Sequence, residues 1–212
     1  MHIPDGFLAA RVWIPLWGIG AGCTALWIRR TGRVLKDKMV PLMGMMAAFI
    51  FAAQMLNFPV AGGTSGHLIG GVLAAVLLGP AAGALVIAIV LVVQCLIFQD
   101  GGLTALGANV VNMSLFGAVL GYYIYAGIRG GSKREGRILT GAAVAAWVSV
   151  VAASAACAVE LALSGTSPLR VALPAMVGVH CLIGIGEAII TCLVIGFVLK
   201  VRKDLMYGME EH

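Results

Sequence analysis

The sequence predicts an all-α fold, a polytopic membrane helical bundle of about seven transmembrane helices, with the amino terminus outside and the carboxyl terminus inside. Three observations predict it. The 212 residues are 61% hydrophobic and 11% charged, with a mean hydropathy of +1.03, outside the range of soluble domains. Apolar runs that approach or exceed the ~20 residues needed to cross a bilayer recur along the whole chain. The basic residues gather in alternate loops, as the positive-inside rule requires of a multi-pass protein.

The apolar runs place helices at Leu8–Ile28, Met39–Leu56, His67–Leu78, Ala81–Phe98, Asn109–Ile128, Ile138–Leu163 and Ala172–Val201. The third is short for a full span, so it is expected to be tilted, to start below the surface or to continue past Gly79-Pro80. Arg29, Arg30, Arg33, Lys36 and Lys38 follow the first helix. Arg129, Lys133, Arg134 and Arg137 follow the fifth, and Lys200, Arg202 and Lys203 follow the last. The loops 57–66 and 99–108 carry no basic residue, and 164–170 carries only Arg170. This bias orients the chain and brings Met1 to the same side as His67. No repeat or long linker divides the sequence, so residues 1–212 are expected to form a single integral membrane domain.

The formal charge of +5 follows from this topology, and no nucleic-acid partner is expected. Cys23, Cys95, Cys157, Cys181 and Cys192 lie in apolar stretches without a Cys-x-x-Cys pair, which argues against a disulfide framework and a thiolate zinc site. A cleavable signal peptide is not expected, because no basic stretch precedes Phe7. Walker, His-Glu-x-x-His and Gly-x-Ser-x-Gly motifs are absent, so an enzyme is not expected and neither is an organic cofactor. Uphill transport would need an ion gradient or another subunit.

The residues with the most chemistry are the first two. A free Met1 amine, the His2 backbone nitrogen and the His2 imidazole form a consecutive nitrogen chelate, closing a five- and a six-membered ring. Planar nitrogen chelation suits Ni(II) and Cu(II). His67, after Gly62-Gly63-Thr64-Ser65-Gly66, could add a fourth nitrogen, with Thr64 or Ser65 capping the helix predicted there. Pro4-Asp5-Gly6 reads as a turn able to fold residues 1–7 back into the bundle as a metal-binding segment. Asp5 is expected either to pair with Arg11 or to orient an imidazole, and Asn109 to cap a helix. His180 and Glu187 stand seven residues apart on one helical face, as an interhelical hydrogen-bond pair, a proton relay or a second metal site, and Glu160 is open to the same readings. Gly44, Ala48 and Ala52 form a small-residue stripe suited to close helix contact.

Met1-His2-Ile3-Pro4-Asp5-Gly6-Phe7, Gly63-Thr64-Ser65-Gly66-His67, and the stretch from Phe98-Gln99-Asp100-Gly101-Gly102-Leu103 to Gly107-Ala108-Asn109 resemble the NikM/CbiM family across essentially the whole chain. These are the metal-capturing membrane subunits of energy-coupling-factor transporters. The resemblance implies a site made by the Met1 amine, the His2 backbone nitrogen and imidazole, and His67. Asp5 and Asn109 are expected in support of it, and Ala48 and Ala52 as a docking stripe for the coupling protein. It implies Ni(II) as transported substrate, with Co(II) possible, and Pro4-Asp5 is more similar to the nickel branch. It also implies a transmembrane coupling protein, ABC-type ATPases, a small accessory membrane subunit in many systems, and residence in the cell membrane among its lipids. The competing reading is a stand-alone proton-coupled carrier or channel using His180, Glu187 and Glu160. An intramembrane metalloenzyme would need an open coordination position and a nearby base, and no motif supplies them.

Overall fold

Seven helices organise the chain in the computed structural model, which describes residues 1–35, 37, 39–61 and 64–209. They are α1 (Ala10–Val34), α2 (Met39–Gln54), α3 (Gly71–Leu78), α4 (Pro80–Phe98), α5 (Leu106–Arg129), α6 (Glu135–Ser164) and α7 (Leu169–Val201). Lys36, Lys38, Gly62, Gly63, Glu210, Glu211 and His212 lie outside the described residues. A two-stranded antiparallel ladder, β1 (Phe58–Pro59) and β2 (Ser65–Gly66), pairs Phe58 with Gly66. It is a small exception to the all-α expectation.

Among the described residues, α4, α5, α6 and α7 are long and apolar enough to cross a membrane, and α2 is a shorter apolar helix. Large apolar side chains point outward along them, as at Ile97, Leu182, Leu193 and Phe197, while Gln54, Gln94, Asn112, Ser154, His180 and Glu187 are buried. Apolar outside and polar inside is the arrangement a lipid solvent favours. Helix ends overrun the apolar runs: α1 continues to Val34 and α6 starts at Glu135. Basic side chains there can reach the interface while their stems stay helical. In α5, residues Val111–Leu120 are wound as a π-helix between two α-helical ends.

The third element departs most from expectation. The sequence predicts helix from His67, but α3 starts at Gly71 and has eight residues, all buried. At 1.5 Å per residue it covers about 12 Å. After β2, residues 67–70 instead run as irregular chain into the bundle, with Gly70 in the left-handed region at φ 75°, and Gly70 precedes the helix where Thr64 or Ser65 was expected to cap it. Gly71 then meets α5 almost without clearance, because a Cβ there would lie 2.5 Å from the Gly117 carbonyl carbon. Non-helical backbone at this depth requires polar partners inside the protein, and the partners of residues 65–70 define the site.

The loops that carry the motifs meet at one end of the bundle. Residues 1–7 bond to Ser65, Gln94, Leu103, Thr104, Asn109 and Thr166. At the other end, Arg30, Arg33, Gly79, Pro80, Tyr123 and Tyr207 line a common cavity.

Candidate metal site

Residues 1–3 are buried inside the bundle: Met1 and Ile3 are fully covered and His2 is 4% exposed. The Met1 amine donates to the Ser65 carbonyl and to Ser65 Oγ at 3.2 Å. Ile3 is held as if it were a strand. Its N–H donates to Asn109 Oδ1 at 2.9 Å, and its carbonyl accepts from Asn109 Nδ2 at 3.2 Å and from the Gly102 N–H at 2.8 Å. Asn109 is therefore not the helix cap the sequence suggested. It is a buried amide whose two ends match the backbone N–H and C=O of one residue.

Asp5 pairs neither with Arg11 nor with an imidazole. Its carboxylate accepts from the Leu103 N–H at 3.0 Å, the Thr104 N–H at 2.8 Å and the Thr104 hydroxyl. The Thr104 hydroxyl and N–H, with Leu103, hold its carboxyl below the usual range. Arg11 instead donates to the Leu163 carbonyl at 2.9 Å. The Pro4-Asp5 turn is thus clamped onto residues 102–104, and Gly102 is necessary there: a Cβ would lie 2.2 Å from the Asp5 backbone nitrogen.

The two imidazoles face each other, with ring centroids 4.5 Å apart and planes 22° from parallel. Their neighbours determine where the lone pairs lie. His2 Nε2 meets Gln94 Oε1 at 3.0 Å, an amide carbonyl that only accepts, so Nε2 carries the proton and Nδ1 the lone pair. His67 Nδ1 meets the Leu68 carbonyl at 2.7 Å, so Nδ1 is protonated and Nε2 has the lone pair. Both lone-pair atoms, His2 Nδ1 and His67 Nε2, are buried and lack a hydrogen-bond partner. Asp100 lies 3.4 Å from His2 Nδ1 and accepts from Asn57 Nδ2 at 3.2 Å, which ties the loop after α2 to the loop after α4.

Burial governs the charges. Desolvation lowers the Met1 amine to about 5, against weaker opposition from Cys157 and Asp100. It also lowers His2 to about 4, helped by the amine charge and opposed by Asp100 and Gln94. His67 is held well below its usual value by burial, then by the amine and His2. At neutral pH all three are uncharged bases. No group of three His, Cys, Asp or Glu side chains among the described residues is arranged to hold a metal, so a site here depends on the amine and a backbone nitrogen.

His180 and Glu187 do not bond to each other. His180 Nδ1 donates to the Met176 carbonyl in its own helix at 2.7 Å. Glu187 accepts from the Ile69 and Gly70 N–H groups ahead of α3, and Glu160 accepts from Asn112 Nδ2 at 2.7 Å. The sequence reading missed three of these roles: Ser65 as acceptor for the amine, Gln94 as the residue that sets the His2 tautomer, and Glu187 as a backbone anchor.

A family model described as the cobalt uptake substrate-specific transmembrane region, CbiM, matches residues 2–205. This chain belongs to the CbiM family. The family is one of metal-transport proteins rather than enzymes. The chain is 40% identical to the putative fused nickel transport protein NikMN of Archaeoglobus fulgidus, over 97% of this chain and 68% of that one. It is 32% identical to the cobalt transport protein CbiM of Geobacter sulfurreducens, over 99% of this chain and 62% of that one. A solved structure described as a transition metal transporter superposes with a TM-score of 0.88 at 34% identity, covering 95% of this chain and 93% of that chain. Family members thus bear both nickel and cobalt names, and the helical transporter fold extends over nearly the whole chain.

Proposed function

We propose that this chain is the substrate-capture subunit of an energy-coupling-factor transporter, taking Ni(II) from outside the cell membrane, with Co(II) as the competing ion. The Met1 amine, the His2 backbone nitrogen, His2 Nδ1 and His67 Nε2 are its four ligands. The observation that carries this reading is the pair of buried, unpartnered lone pairs on His2 Nδ1 and His67 Nε2 beside a neutral amine. Buried polar atoms are normally satisfied, and these two belong to rings stacked 4.5 Å apart, with Asp100 3.4 Å from His2 Nδ1 as the nearby carboxylate. A planar set of four nitrogens favours Ni(II) over Co(II). Support for residues 1–7 as the metal-binding segment of one membrane domain comes from the burial of Met1, His2 and Ile3 and from the Asn109 and Asp5 clamps.

Seven crossings with the amino terminus outside fit the basic cavity at the opposite end, lined by Arg30 and Arg33. The Asn57–Asp100 bond then lies over the outer mouth, and its opening admits metal. Release inward is driven by ABC-type ATPases through a transmembrane coupling protein, with a small accessory membrane subunit where one is present. Gly44, Ala48 and Ala52 are exposed along α2, and their small side chains leave a smooth face for the coupling protein.

His67→Ala tests the ligand set. Nickel titration into the purified protein is expected to show one site per chain in the wild type, with the absorption of planar Ni(II). In His67→Ala, affinity falls about 100-fold or more, since loss of an outer-shell partner alone costs 10–100-fold. An unchanged affinity would overturn the reading.

Proton release gives an independent check. The lowered amine is already neutral at pH 7, so on chelation only the His2 amide proton leaves, about one per nickel rather than two. Protons begin to compete at the amine only as pH falls through about 5, and at His2 through about 4. Calorimetry in buffers of different ionisation enthalpy reads this number. Two protons released at pH 7 would mean the amine is charged and solvated before metal arrives.

A further inference from the structure

Glu187 is 3% exposed on α7, and the capture site as described makes no use of it. Its Oε2 accepts from the Ile69 N–H and its Oε1 from the Gly70 N–H, both at 2.6 Å. Two successive backbone N–H groups beside a left-handed glycine form the concave donor pair that binds anions, and here the anion is a side chain of the protein itself. On the α2 side, Gln54 Nε2 donates to the Ile69 carbonyl at 2.8 Å.

The same helix holds the other end of this segment. A Cβ on Gly66 would lie 2.8 Å from Ile183 Cδ1 and 3.3 Å from Val179 Cγ1. Val179, Ile183 and Glu187 are spaced by four and form one stripe of α7. Residues 66 and 69–70 are thus fixed against that stripe, and His67 lies between them with its Nδ1 on the Leu68 carbonyl. No regular secondary structure holds His67 itself. Its direction is set by the anchors on either side.

We propose that Glu187 is a positioning residue for metal capture: its carboxylate holds the Ile69–Gly70 backbone so that His67 Nε2 faces the Met1-His2 chelate. It does not touch the metal. The proposal rests on the four-nitrogen reading above. Glutamine at this position preserves shape but offers one acceptor and one donor to two N–H groups, so one bond is lost and two donors face each other.

The test compares nickel titration, the spectrum of bound Ni(II) or Cu(II), and thermal stability for the full chain. The proteins are the wild type, Glu187→Gln, Glu187→Asp, His67→Ala and the double variant Glu187→Gln/His67→Ala. Glu187→Gln is expected to bind nickel about 10–100-fold more weakly, with a spectrum shifted toward that of His67→Ala. The double variant is expected to bind no more weakly than His67→Ala, because Glu187 acts through His67. A wild-type spectrum in Glu187→Gln, or losses that add in the double variant, would overturn the proposal and leave Glu187 a residue of packing alone. Should Glu187→Gln not fold, Glu187→Asp, which keeps the charge one methylene short, is read by the same criteria. Failure of the underlying reading is separate, since His67→Ala would then bind as the wild type does whatever Glu187 does.

Discussion

Blocking the Met1 amine is expected to abolish high-affinity nickel binding while the bundle stays folded. The amine is fully buried and donates to Ser65, so an acetyl group or an added residue takes away the proposed ligand and also overfills its pocket. Nickel titration of protein acetylated at the amino terminus, or extended by Gly-Gly, is expected to show affinity at least about 100-fold lower, more than the loss of a supporting group costs. The extension must be two residues. With a single glycine, the new amine, two amides and the His2 imidazole could close a planar four-nitrogen chelate by themselves and bind nickel without His67. A blocked protein that binds like the wild type would refute the chelate, provided its stability shows that the bundle is intact.

Gly102→Ala should reach the same end from the other side of the site. The new Cβ would lie 2.2 Å from the Asp5 backbone nitrogen and 2.6 Å from the Pro4 carbonyl carbon, and backbone atoms cannot move aside as a flexible side chain can. The terminal segment must lift, breaking the Gly102–Ile3 bond and the Asp5 clamp. Nickel affinity is expected to fall about 100-fold, while the melting temperature moves by only a few degrees, because the opening is local and the helices stay packed. Limited proteolysis within residues 1–7 would report the lifted segment. Retained affinity with a protected terminus would mean that the 102–104 loop yields instead.

Much of the bundle was legible in the sequence because lipid imposes a coarse, one-dimensional rule on composition. The apolar run ending at Phe98 appears as α4 almost residue for residue. The His67 segment was not legible, since periodicity cannot distinguish a buried helix from buried irregular chain whose N–H groups find a carboxylate 117 and 118 positions away. Asp5 was misread for the same reason. Arg11 is near in sequence, yet the donors that win are at Leu103 and Thr104. Asn109 looked like a cap because amides often are, and only the arrival of Ile3 shows it holding a peptide. Met1, His2 and His67 were singled out from residue type, charge bias and the family resemblance, and the structure stacks the two imidazoles. Their tautomers, set by Gln94 and the Leu68 carbonyl, could not be read from the sequence.

The anchoring bonds of residues 1–7 span 64 to 159 positions of sequence, which gives the site a place in the order of folding. Contacts of such long range form late, after the intervening chain has already lost its freedom. The first residues of the chain therefore find their places after the helices that receive them have packed. Local opening of such a segment costs less than global unfolding. Bound metal, contacting only the closed form, would draw that opening equilibrium shut, so the cargo itself completes the fold of the protein that carries it.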